Sequence, residues 1–202
     1  PPRKQRSCSS TMPDQYVLDV MHRREVSRAA GPLFLQYVLV SSHYPFNLIP
    51  RYLEDWEAIG DGSLYARGEA VQTLPIPAGS QTAGAAGYVA AMRYELTLIS
   101  EYLRRFVTDE TLAIVIGDHQ PFSAITGKGK PWSVPVHVIS RQAQLLEPFL
   151  RRGYTPGLVP RQPLPHEGME SLLPGLLEDF STADSQEAAA AGHGHRAAPG
   201  PG

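Results

Sequence analysis

A chain of 202 residues suits one compact domain better than two, so a single core is expected. Hydrophobic residues at 42% and charged residues at 19% exclude a wholly disordered chain or a coiled coil, and a formal net charge of -2 excludes the global basic field that draws proteins to nucleic acid. The single cysteine, Cys8, rules out an intramolecular disulfide framework and any Cys-based zinc finger, leaving packing as the source of stability.

Residues 1–10 are polar and basic, with Arg3, Lys4 and Arg6 close together, and are read as a frayed, flexible end without a role. They lack an initiator Met and the apolar core of a signal peptide, which suggests that the sequence begins inside a longer protein. No apolar run approaches the roughly 18 residues that would span a bilayer. From Thr11, a candidate N-cap, through Pro13 and Asp14, the apolar residues Tyr16, Val17, Val20 and Met21 recur at helical spacing until Gly31. Leu33 to Val40 is an aromatic and β-branched run bounded by Gly31-Pro32 and by Ser41-Ser42-His43, the pattern of a strand buried on both faces.

A short helix is expected from Arg51 to Ile59, then a Gly-Asp-Gly-Ser turn and a loop of small residues from Leu74 to Gly87. The strongest helical period runs from Tyr88 to Phe106, where Tyr88, Ala91, Met92, Glu95, Leu98, Ile99, Tyr102, Leu103 and Phe106 form one stripe. Thr111 to Ile116 reads as a second strand, delivering Gly117-Asp118-His119-Gln120, and Val134 to Ile139 as a third. Helices are expected from Gln142 to Arg152, closed by Gly153, and from Met169 to Phe180, interrupted at Pro174. Residues 181–202, dominated by Ala, Gly and Pro, read as a disordered tail. The order predicts an α/β sheet with helices packed on its faces over residues 11–180.

Reactive groups in such sheets gather at the carboxyl ends of strands. Asp118 and His119 follow a strand and a glycine that permits close backbone approach, and they offer one hard oxygen and one imidazole nitrogen, a pair suited to a divalent metal. An Asp-His dipeptide alone is also an ordinary turn. The segments His43-Tyr-Pro-Phe46, Gly87-Tyr-Val-Ala-Ala-Met-Arg-Tyr-Glu95 and Thr111-Leu-Ala-Ile-Val-Ile-Gly-Asp-His119, in that order, resemble the alkaline phosphatase/sulfatase superfamily, especially its lipoteichoic-acid-synthase-like and sulfatase-like transferase branches.

The resemblance covers roughly residues 12–180 and implies a partial alkaline-phosphatase-like sheet. It also implies a metal ion, zinc, manganese, magnesium or calcium, ligated by Asp118 and His119, with His43 facing the oxygens of an anionic ester or protonating its leaving group. Trp132-Ser-Val-Pro135 looks like the family's later strand, so Lys128 and Lys130 are weak candidates for contact with the ester. His137 reads as mid-strand core. A membrane connection would come only through an upstream segment, and an extracytoplasmic location only by resemblance.

The chain also departs from the family. The nucleophile and its acidic metal ligand lie far upstream of the His-x-Pro segment in that family, and only 42 residues precede His43 here. Cys8-Ser-Ser-Thr11 lacks the Pro and Arg of the sulfatase signature, so no nucleophile is assigned. The expectation is the C-terminal part of a larger enzyme, inactive alone. Two alternatives stay open: a truncated, catalytically inactive member serving as a binding or structural element, and a different hydrolase using His43 as base with an unrecognised serine. Asp61 and Glu69 are weak carboxylate candidates, Asp61 more simply a turn former between glycines. His193 and His195 sit in the tail and make a poor specific site.

Overall fold

The computed structural model describes residues 12–44, 46, 48–73, 81–159 and 167–181. The N-terminal end with Cys8 and the Thr11 cap, residues 74–80 of the small-residue loop, and the tail from residue 182 with His193 and His195 lie outside the described residues. Chain length alone suggests one core, but the contacts form two compact units. Of the described residues, those from 12 to 108 and 119–132 form one, and 109–118 and those from 133 to 181 form the other.

The first unit opens with helix α1, Asp14–Arg24, followed by a 3-10 turn at Val26–Arg28. Asp14 in its first turn and Arg23 and Arg24 in its last complement the helix dipole. The periodicity predicts a helix reaching Gly31, but α1 stops at Arg24; its most buried side chains are Asp14, Gln15, Leu18 and Asp19, while Tyr16, Val17, Val20 and Met21 are only half-buried. Strands β1, Leu48–Pro50, and β2, Val71–Thr73, pair antiparallel with Ile49 opposite Gln72. Between them lie a 3-10 turn at Glu57–Ile59, all that forms of the helix expected from Arg51, and the short helix α2, Ser63–Ala66. Gly62 enters α2 at φ +80°, where a Cβ would lie 2.6 Å from the Tyr16 ring, so this turn requires glycine.

Helix α3 runs from Gln81 to Phe106, starting seven residues before the expected Tyr88. Ala83, Ala85 and Ala86 are strong helix formers, and Gly87 is buried, so packing outweighs the roughly 1 kcal/mol that each glycine costs a helix. Ala91, Tyr94 and Leu98 of α3 join Leu18, Phe46, Ile49, Trp56 and Ile59 in the core. The short helix α4, Ser123–Thr126, packs on α3.

The strand predicted over residues 33–40 does not form. Exposure alternates along it, as β geometry requires, but it joins no sheet, and Phe34 and Val38 remain exposed rather than buried on a second face. A strand needs a ladder, and the described residues provide none here.

In the second unit, β3, Ala113–Ile116, and β4, Val136–Ile139, pair antiparallel with Val115 opposite His137. Gly117 extends the pairing by donating its N–H to the Pro135 carbonyl at 3.1 Å, and a Cβ there would lie 3.2 Å from that of Val134. Helix α5, Ala143–Arg151, packs on β4. Helix α6, residues 172–181, begins just before Pro174, which its first turn tolerates because the missing N–H would have no helical partner. Buried Phe149 meets Tyr154 and Phe180, and Arg152 bridges to Asp179 at 3.0 Å and to the Gly175 carbonyl at 2.9 Å. The chain is thus mixed α/β, with two two-stranded antiparallel sheets among the described residues. None of the described helices is long and apolar enough to cross a membrane.

Candidate functional site

The turn that carries His43 closes through the His43 N–H donating to the Val40 carbonyl at 3.0 Å. Helix α1 fastens it. The Asp14 carboxylate accepts the backbone N–H groups of Val40 at 2.9 Å and Ser41 at 2.6 Å, and the Asp14 N–H donates to Ser41 Oγ at 3.4 Å. Beside it, the fully buried Gln15 side chain clamps Leu53 in both directions, donating to its carbonyl at 2.7 Å and accepting its N–H at 2.9 Å. The Gln15 N–H donates to Tyr94 Oη at 3.4 Å.

Glu95, on the next position of α3, is 3% exposed, and neither carboxyl oxygen has a well-formed hydrogen bond. Burial above all, and then the neighbouring Asp14 carboxyl, outweigh the stabilising N–H groups of Ser42 and Ser41 and push the Glu95 pKa up to about 9. Glu95 is therefore a neutral acid at pH 7. The sequence carries its signal, because a carboxylate on an apolar helical stripe is out of place unless it meets polar partners. Asp14 and Gln15 give no comparable signal, since the start of a helix is an ordinary place for polar residues.

An aromatic cluster holds the other side of the same segment. Phe46 is 5% exposed and has φ +59°, a left-handed conformation rare for a bulky side chain. Its ring lies 5.5 Å from Tyr88, 5.8 Å from Tyr44 and 6.3 Å from Phe122, and Tyr44 meets Phe122 at 5.7 Å. The segment following His43, the start of the stripe on α3 and the segment following His119 therefore meet at Phe46.

His43 and His119 are both exposed and share one local arrangement. Nδ1 of His43 lies 2.7 Å from the Tyr44 carbonyl, and Nδ1 of His119 lies 2.9 Å from the Gln120 carbonyl. A carbonyl only accepts, so each Nδ1 carries the proton, and Nε2 is the ring's acceptor atom in the neutral form. This is the tautomer that suits a metal ligand or a proton acceptor at Nε2. Asp118 is exposed at the end of the β3 segment in the second unit, and His119 begins the return segment of the first.

Lys128 and Lys130 are exposed in the turn after α4, and His137 is half-buried in the middle of β4. Asp61 accepts the Ser63 N–H at 2.9 Å and so shapes its own turn, while Glu69 is paired with Arg67 at 2.6 Å. Two shallow hollows in the first unit, of about 530 Å³ along α3 from Tyr88 to Ser100 and about 380 Å³ between Leu53 and Ala70, include none of His43, His119, Lys128 and Lys130. Among the described residues, no group of three or more His, Cys, Asp or Glu side chains is placed to hold a metal ion. No family model matches the chain, and no curated protein or solved structure matches it either.

Proposed function

We propose that this chain is the C-terminal part of a metal-dependent, sulfatase-like hydrolase or transferase that acts on phosphate or sulfate esters. The observation that carries the reading is the meeting of Tyr44, Phe46, Tyr88 and Phe122, which joins the first two sequence blocks on which the resemblance rests to the segment that follows the third. The Nδ1–H bonds of His43 and His119 add to it by presenting Nε2 as the reactive atom of each ring.

In this reading, Asp118 and His119 contribute two ligands to a divalent cation, which polarises an ester oxygen when bound. Two donors do not close a site, since a protein zinc site commonly uses three or four. The remaining ligands and the nucleophile come from outside the described residues. His43 then faces the non-bridging oxygens through Nε2, or passes a proton to the leaving group, and the Asp14 clamp on residues 40 and 41 holds that ring in place. Lys128 and Lys130, on the exposed turn after α4, add positive charge for an anionic ester.

The reading is tested by calorimetric titration of the chain with zinc and manganese, in a background with His193 and His195 replaced by alanine. One micromolar site, lost in Asp118→Ala and in His119→Ala, is the expected result. Binding indifferent to both substitutions, or no binding below millimolar metal, refutes the ligand assignment. The second reading, an inactive member acting as a binding element, is favoured by residues 33–39, whose backbone forms no hydrogen bond with any described residue.

A further inference from the structure

The segment from Phe34 to Leu39 has the exposure pattern of a strand without a sheet. Phe34, Gln36, Val38 and Val40 are exposed, while Leu35, Tyr37 and Leu39 are half-buried, a two-residue period that only an extended backbone produces. Tyr37 and Leu39 pack against the core of the first unit, and Tyr37 lies 6.3 Å from Tyr102, so one face is anchored. The other face is apolar and open, with Phe34 80% and Val38 74% exposed.

The backbone is open as well. Pro32 has no N–H at one end, and the Val40 N–H is held by Asp14 at the other. Between them, no described residue forms a backbone hydrogen bond with residues 33–39. Open edges in soluble proteins are usually blunted by charge, lysine or an inward-pointing ionic residue. This one is not, because no Asp, Glu, Lys or Arg occurs from Ala29 to Pro50.

We propose that residues 33–39 pair with the same residues of a second copy of the chain, as an antiparallel ribbon whose two-fold axis passes through Gln36. The run is its own complement. Leu33 and Leu39 lie equally far from Gln36, so this register aligns all seven residues, pairs the groups on the facing edge and places Phe34 opposite the partner's Val38 and Leu35 opposite the partner's Tyr37. Aromatic and β-branched residues facing each other across a non-polar ribbon are favourable pairs, and an uncharged segment meets no like charge in its copy. Gln36 faces its own copy, where the two amides can exchange hydrogen bonds. Seven residues a side bury on the order of 1,000 Å², below the ~1,200 Å² at which standard stable interfaces begin, so the dimer is reversible.

The proposal does not rest on the ester-cleaving reading. It is tested by sedimentation of the full 202-residue chain under reducing conditions, from about 1 µM to about 1 mM, the range in which an interface of this size dissociates. The wild-type chain is expected to pass from monomer to dimer across that range. Phe34→Glu and Val38→Lys, both on exposed side chains, are each expected to weaken dimerisation at least tenfold, and Val89→Lys, on an exposed position of α3, to leave it unchanged.

An equimolar mixture of Phe34→Glu and Val38→Lys chains is expected to recover the dimer, because the new carboxylate at position 34 then faces the new ammonium at position 38. A monomer at every concentration overturns the proposal. So does a dimer indifferent to both single substitutions, or a mixture that fails to recover. Far-UV circular dichroism and Trp56 emission show that each variant retains its fold.

Discussion

Replacing Glu95 by Gln should remove a pH dependence that the wild-type fold carries. The Glu95 carboxyl has its pKa raised from 4.5 to about 9, chiefly by burial. The folded chain therefore keeps a proton that the unfolded chain releases, and stability from this group is fully present below pH 4.5 and is lost as pH rises toward about 9. The slope is about 1.4 kcal/mol per pH unit, so roughly 3 kcal/mol separates pH 4.5 from pH 7. Gln is isosteric with the protonated acid and does not ionise in either state. Glu95→Gln is thus expected to match the wild type near pH 4.5 and to exceed it by about 3 kcal/mol at pH 7. Urea unfolding between pH 5 and pH 9, followed through buried Trp56, measures the difference, and exposed Trp132 contributes little change. His22, whose pKa is lowered mainly by burial, acts with the opposite sign, since stability is lost as pH falls below its ordinary value. It acts in both proteins and cancels from the comparison. Parallel stability curves for the two proteins across this range refute the assignment of a neutral Glu95.

Asp14→Ala should cost about 3 kcal/mol, because it removes two hydrogen bonds and leaves two amides unpaired. Native-state hydrogen exchange is expected to quicken at Val40 and Ser41 more than at residues of β3, which lies in the other unit. Gly62→Ala should cost about 2 kcal/mol or more, from the positive φ and the collision with Tyr16 together. Adding Tyr16→Ala is expected to recover part of that loss, and a double-mutant cycle of urea midpoints measures how much.

The sequence makes conformation more legible than partnership. β3 and β4 follow from short β-branched runs between turn signals, and the two-residue period of residues 33–40 appears in their exposure. That last run is as apolar as β3, yet it joins no sheet among the described residues. Composition specifies an extended backbone and its alternation, whereas pairing depends on what else reaches the edge. Helix α1 shows the same division. Its presence and start are readable from periodicity, but the burial of Asp14 and Gln15 depends on the backbones of Val40, Ser41 and Leu53, 26 to 38 residues away. The missed start of α3 has a local cause, because glycines at 84 and 87 resemble a loop until the neighbouring alanines and tertiary packing are weighed.

Two costly features converge on residues 40–46, the segment that carries His43. Phe46 holds a left-handed backbone, of order 1–3 kcal/mol for a residue with a Cβ. Glu95 places an acid group without a well-formed hydrogen bond beside Ser41 and Ser42, where an apolar residue would avoid the desolvation. The ring of Phe46 belongs to the apolar core around Leu98 and Trp56, whereas Glu95 adds no apolar surface to it. Sequences depart from local rules most often where a site has to be held in one geometry. Here the departures lie on either side of one imidazole: Asp14 and Glu95 at the 40–42 turn before it, and the ring cluster of Tyr44, Phe46 and Phe122 after it. A turn fixed at both ends allows little rearrangement at its middle, and the role proposed for His43 would benefit from that restriction.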